Sequence, residues 1–150
     1  MNVTASAELF IARPPEIVWD FTQDYSRRSS WDRSILDATV LESSPLPRIR
    51  IRGAGGLSGV LQYKLFDRPR RTSVVLVDVK SRWVTGGGGS WSYESASGGT
   101  LWTQTNSLEL KHAWLGALAR WTLRRETQRA MKAAKRMLEG SMSPATARTG

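Results

Sequence analysis

The chain has 150 residues, enough for one domain with a full core, and its 40% hydrophobic and 23% charged content is ordinary for a globular protein. It has no cysteine and a single histidine, His112, which excludes a disulfide framework, thiolate chemistry and a multi-histidine metal site within one chain. The net charge of +9 either draws the chain to nucleic acid, anionic lipid or an acidic partner, or reflects an arginine-rich surface with no partner at all.

Taken in order, residues 5–11 alternate loosely and read as a strand. Arg13-Pro14-Pro15-Glu16 ends it and opens a short helix, since proline suits the first helical turn and Glu16 sits near the positive helix end. Ile17, Val18, Trp19 and Phe21 make that helix apolar, and residues 26–32 read as a second short helix anchored by Trp31. Neither is long enough to stand alone, so both must pack on a sheet.

From Leu36 the period changes to two. Residues 36–42 form one strand, and Pro45 and Pro47 mark the turn after it. Arg48-Ile49-Arg50-Ile51-Arg52 alternates strictly, which predicts a half-exposed antiparallel strand. Residues 53–59 are a glycine-rich connection without the Lys-Ser/Thr of a phosphate loop. Strands follow over 60–66, 72–79 and 90–94, the last entered through the glycine run 86–89. Gly98-Gly99 predicts a hairpin turn into a threonine-rich strand over 100–111.

Residues 114–139 predict one long helix, roughly 39 Å at the α-helical rise. Leu115, Leu118, Ala119, Thr122, Leu123, Ala130, Ala133, Ala134 and Met137 fall on one broad apolar arc, with Arg120, Arg124, Gln128, Lys132, Lys135 and Arg136 mostly opposite. Gly140 stops the helix, and residues 140–150 are expected to be a disordered tail. The expected domain is therefore 1–139. It is an α+β fold in which a curved antiparallel sheet wraps around the long helix, with two short helices after the first strand.

This order, with certain residues, resembles the START/Bet v 1-like (SRPBCC) superfamily and its bacterial polyketide cyclase/dehydrase and lipid transport branch. Ile11-Ala12-Arg13-Pro14-Pro15-Glu16-Ile17-Val18-Trp19 resembles that family's I-x-x-P-x-x-V-W opening. Asp24 and Trp31-Asp32 match its second short helix, Gly98-Gly99-Thr100 its last turn, and the helix ending in Leu138-Glu139 completes a match over residues 3–139. The resemblance implies a helix-grip fold with an apolar cavity between sheet and helix, able to hold a lipid, a polyketide or a similar molecule.

Several residues are candidates for lining such a cavity. Trp91 and Tyr93 share a face of a glycine-flanked strand, and Tyr63 sits on the strand over 60–66. Trp102, Gln104 and Asn106 share a face of the last strand; they point into the cavity if that face is concave, and otherwise Thr103 and Thr105 do. Thr122 and Glu126 fall on the helix's apolar arc. Glu126 is either a cavity acid with a raised pKa, or a carboxylate paired with an arginine such as Arg129, or a rim residue. Each tryptophan is more simply read as a core filler, and His112 as incidental.

The expectation is a cofactor-free and metal-free binder of a hydrophobic small molecule, acting as carrier or sensor, with no catalytic residue assigned. A polyketide cyclase/aromatase in the same cavity is the enzymatic alternative. A basic module in transient contact with anionic membrane or RNA is the third, and no stable partner is expected. No apolar run approaches membrane-spanning length, and residues 1–10 lack the pattern of a signal peptide, so a cytoplasmic location is expected.

Overall fold

Alternation decides which way each strand faces. In β3 (Arg48–Gly53) the isoleucines at 49 and 51 are buried while Arg50 and Arg52 face solvent. β3 is one of seven strands in a single antiparallel sheet, the others being β1 (Asn2–Ile11), β2 (Ile35–Glu42), β4 (Ser58–Asp67), β5 (Arg71–Lys80), β6 (Val84–Ala96) and β7 (Gly99–Leu110). The computed structural model that provides these coordinates describes residues 1–140. Strand order is β1-β7-β6-β5-β4-β3-β2, so the first and second strands form opposite edges. The segment joining them must cross the whole sheet, and it carries α1 (Pro15–Thr22) over the concave side.

α1 starts as its sequence dictates, with proline in the first turn and Glu16 beside it. It buries Val18, Trp19 and Thr22, and Gln23 closes it by donating its backbone N–H to Trp19 O at 2.8 Å. The expected second helix shrinks to one 3-10 turn, Arg28–Ser30. Side-chain turns explain the shortening. Asp24 accepts from Ser26 N (3.0 Å) and Ser26 Oγ (2.6 Å), and Asp32 accepts from Ser34 N (3.0 Å) and Ser34 Oγ (2.5 Å). Both carboxylates offer the backbone an alternative to continuing a helix.

The glycine run 86–89 is a second difference. It lies inside β6, which is 13 residues long. A Cβ at Gly87 would sit 2.5 Å from Ser107 O, and one at Gly88 would sit 2.6 Å from Val74 O. Only glycine lets β6 approach β5 and β7 this closely at the centre of a curved sheet. At the hairpin between β6 and β7, Gly98 takes φ +80, as a tight turn requires.

The long helix is unbroken. α2 (Gly116–Gly140) follows a 3-10 turn at Ala113–Leu115 and packs chiefly on β1. Its buried stripe is Thr127, Ala130, Met131, Ala134 and Leu138, at i, i+3, i+4, i+7 and i+11. The apolar arc expected from the sequence is therefore rotated. Leu118, Thr122 and Met137, expected inside, are exposed. The helix seats its C-terminal half on β1 through small residues, and its N-terminal half runs on with its other side open. Gly140 belongs to α2, and the tail expected after it, residues 141–150, lies outside the described residues.

Candidate functional site

The β7 alternation puts Trp102, Gln104 and Asn106 on the concave side, and Trp102 and Gln104 are fully buried. Asn106 Nδ2 donates to Thr127 Oγ1 at 2.9 Å, tying sheet to helix. Thr103 and Thr105, the alternative inward pair, are only partly buried. Register then aligns the neighbours: Gln104 opposite Trp91, Trp102 opposite Tyr93, and Trp91 opposite Thr72. From β4, Tyr63 joins the same interior.

The rings form one continuous cluster. Tyr93 stacks nearly parallel on Trp102 at 6.3 Å between centroids, and Trp102 meets Trp31 edge-on at 6.0 Å. Trp19 lies 5.2 Å from Tyr93 and 5.1 Å from Phe66, which meets Tyr63 at 5.3 Å. The interior in which an apolar cavity was expected is thus filled by aromatic side chains.

Sequence reasoning did not single out the residue at the centre of this cluster, Arg28. It is 5% exposed, and its guanidinium carbon lies 4.5 Å from the Trp31 ring centroid, 5.4 Å from Tyr25 and 5.5 Å from Trp91. Its Nε donates to Asp32 Oδ2 at 2.9 Å. Burial alone would lower its pKa, but the Asp32 carboxylate and the phenols of Tyr25 and Tyr63 outweigh that, so the group stays charged. Its Nη1 has no hydrogen-bond partner among the described residues, and neither do the indole nitrogens of Trp31, Trp91 and Trp102 or the Oε1 of Gln104. The one sequence signal was the Arg28…Asp32 spacing of four beside Trp31, which puts both charges on one side of a turn.

The tyrosines, by contrast, are engaged. The Gln23 side chain bridges two of them: its Nε2 donates to Tyr93 Oη at 2.8 Å and its Oε1 accepts from Tyr63 Oη at 2.5 Å. Tyr63 Oη is also 3.0 Å from the Tyr25 hydroxyl. Thr22 Oγ1 donates back to Val18 O at 2.9 Å, so the 2.6 Å contact with Tyr93 has the phenol as donor. Burial pushes Tyr93 up to about 12 and Tyr63 well above the usual 10.0. Both are neutral donors at physiological pH, not bases.

Two expected lining residues do not join this cluster. Thr122 is exposed on α2, and Glu126 is partly exposed with its Oε1 3.5 Å from Arg129 Nη1. The paired reading of Glu126 fits this geometry, because the helix turns a different stripe inward. Two open grooves run along the seam of β1 and α2. One, of about 400 Å³, is lined by Thr4, Ala5, Ser6, Ala117, Arg120, Trp121 and Arg124. The other, of about 190 Å³, lies beside Leu9 and Met131. Trp83, Trp114 and Trp121 are exposed, and His112 stacks on Trp114 at 6.0 Å. Among the described residues no group of His, Asp and Glu side chains could hold a metal ion.

A family model described as polyketide cyclase/dehydrase and lipid transport matches residues 2–139. The sequence matches no curated protein. Among solved structures, a START superfamily protein from Mycobacterium smegmatis superposes with a TM-score of 0.76 at 14% identity, over 91% of this chain and 97% of that one. The Zhui aromatase/cyclase from Streptomyces sp. R1128 gives 0.72 at 15% identity, over 94% and 93%. The di-domain aromatase/cyclase StfQ of the steffimycin biosynthetic pathway gives 0.72 at 14% identity, over 96% of this chain and 53% of StfQ. At these identities the likeness establishes the fold, a helix grip.

Proposed function

The chain belongs to the polyketide cyclase/dehydrase and lipid transport family of the START/Bet v 1-like superfamily, and we propose that it binds a hydrophobic small molecule carrying an acidic oxygen. The oxygen meets Arg28, the apolar body lies among the surrounding aromatic rings, and the protein acts as a carrier or sensor.

One observation carries this reading: a buried, charged guanidinium with a free donor, ringed by indoles whose N–H groups are also free. A buried cation is costly unless paired and hydrogen-bonded, and Asp32 takes only one of its edges. A ligand oxygen would supply the missing acceptor through a charge-assisted bond. Because the rings fill the floor of the interior, binding requires some of them to shift, and tryptophan fluorescence should report it.

The family description also favours a second reading, cyclisation of a poly-β-ketone. The same donors would stabilise an enolate oxygen as it develops. The carrier is preferred because the cluster offers no free base: Tyr63 and Tyr93 hold their protons, and Asp32 is held by Arg28 and Ser34.

The test compares a long-chain carboxylic acid with its methyl ester by fluorescence titration. The acid should bind at least about tenfold more tightly, the worth of one hydrogen bond to a charged group. Equal affinity, or no saturable binding of either, contradicts the proposal. Conversion of a model poly-β-ketone into a cyclised product would favour the enzyme instead.

A further inference from the structure

The N-terminal half of α2 presents a second face that the ligand reading leaves unused. Trp114, Leu118 and Trp121 are 74%, 63% and 58% exposed. Leu118 and Trp121, three residues apart, lie on the side of α2 away from Thr127, Ala130, Met131, Ala134 and Leu138, and Trp114 precedes them on the 3-10 turn that leads into the helix. Trp83, 40% exposed, extends this surface from the start of β6 by meeting Trp114 edge-on at 6.4 Å. Side chains of this size, grouped and facing water, mark an interaction surface.

Along the chain from 110 to 125 the charge has one sign. Arg125 lies over the Trp121 ring at 5.1 Å and Arg82 over Trp83 at 5.3 Å. Lys111, Arg120 and Arg124 flank them, and no aspartate or glutamate occurs from residue 110 to 125. Arg120, Trp121 and Arg124 also border the groove of about 400 Å³, together with Ala5 and Ala117.

We infer that this surface docks reversibly on an anionic lipid bilayer, with Trp114, Leu118 and Trp121 entering the interfacial region and the arginines meeting lipid phosphates. Indoles favour the membrane–water boundary, where the ring is apolar and the N–H is wet. A helix with tryptophan and leucine on one strip and arginine beside it is the pattern of a segment lying in that interface. The attachment is peripheral: among the described residues no helix is long and apolar enough to cross a membrane. A second copy of the chain fits less well, since a two-fold contact through this face would set these cations against themselves. A nucleic acid also fits less well, since Arg82, His112 and Arg125 each cover one face of Trp83, Trp114 and Trp121 and leave a single face of each for a base.

The test is co-sedimentation with phosphatidylcholine vesicles, with and without phosphatidylserine, near physiological salt and at high salt. Binding should require phosphatidylserine and fall steeply as salt rises. Trp114→Ala with Trp121→Ala should weaken it about tenfold or more. Replacing Arg120, Arg124 and Arg125 by glutamine should weaken it roughly a hundredfold. All five side chains lie outside the Arg28 cluster, so these variants should keep wild-type affinity for the carboxylic acid, which also shows that they are folded. Three results overturn the inference: no binding to phosphatidylserine vesicles near physiological salt, a dimer in solution that the tryptophan pair abolishes without any vesicle binding, or RNA binding that the same variants lose while vesicle binding is unchanged.

Discussion

At the scale of single residues, Arg28 and Asp32 form a buried ion pair. Their side chains are 6% and 8% exposed, and the charges satisfy each other across 2.9 Å. Asp32→Asn keeps the shape but leaves a buried guanidinium without a counter-charge. It should cost about 3–5 kcal/mol in chemical denaturation. A loss below about 1 kcal/mol, typical of an exposed pair, would contradict the burial of the pair. Tyr93 gives a second prediction. Its pKa rises from 10.0 in the unfolded chain to about 12 in the fold, so the folded state holds its proton longer. The stability tied to that proton is complete below pH 10 and is lost as pH climbs through about 12. Circular dichroism across that window should show wild type losing stability with rising pH, and Tyr93→Phe losing less. Equal slopes in the two proteins would mean that the phenol is not buried as described.

At the scale of elements, the seating of α2 decides which residues face inward. Glu139, near its end, accepts the backbone N–H of Ala12 at 2.9 Å and pairs with Lys135 at 3.0 Å, while Lys135 Nζ donates to Phe10 O at 2.6 Å. These contacts fasten the helix to the end of β1. The Ala12 N–H, with help from Lys135, holds the Glu139 carboxyl below its ordinary 4.5. The resulting stability is present above pH 4.5 and disappears as pH falls through the lowered folded value. Glu139→Gln should therefore be less stable than wild type at neutral pH, by no more than about 1 kcal/mol for a partly exposed group, and the gap should close in acid. A gap that persists unchanged at low pH would mean that the charge is irrelevant to the fastening. The same seating explains what the sequence concealed. Helical periodicity located the helix, but Thr127 is polar and Leu118 apolar, so an arc drawn through apolar residues is rotated from the buried stripe and shares only Ala130 and Ala134 with it. Only the position of β1, set by pairing between the first strand and the last, fixes which stripe is buried.

At the scale of the whole molecule, the fold was legible because each element carried its own signal: Pro14-Pro15 opening α1, the Arg48–Arg52 alternation, and an uninterrupted helix after the last strand. The resemblance to the superfamily supplied their arrangement. The glycine run 86–89 misled, because glycines that permit close strand approach look the same in sequence as glycines that make a loop. Tyr63, Trp91, Tyr93, Trp102 and Gln104 could be named from strand alternation and do meet in the interior. Arg28 could not, since in a segment containing Arg27, Arg28 and Arg33 its only local mark is Asp32 four residues on. Its burial depends on the chain crossing the sheet between opposite edges. The seven tryptophans divide accordingly into an interior set around Arg28 and an exposed set near the start of α2. That division lets ligand binding at Arg28 be followed separately from the exposed face. Nitrogen-15 spectra resolve each indole N–H, and the long-chain carboxylic acid can be titrated in directly. The Trp31 and Trp91 signals should shift and saturate together, with Trp83, Trp114 and Trp121 unmoved when no membrane is present. Shifts confined to Trp83, Trp114 and Trp121, with the interior indoles unchanged, would contradict binding at Arg28.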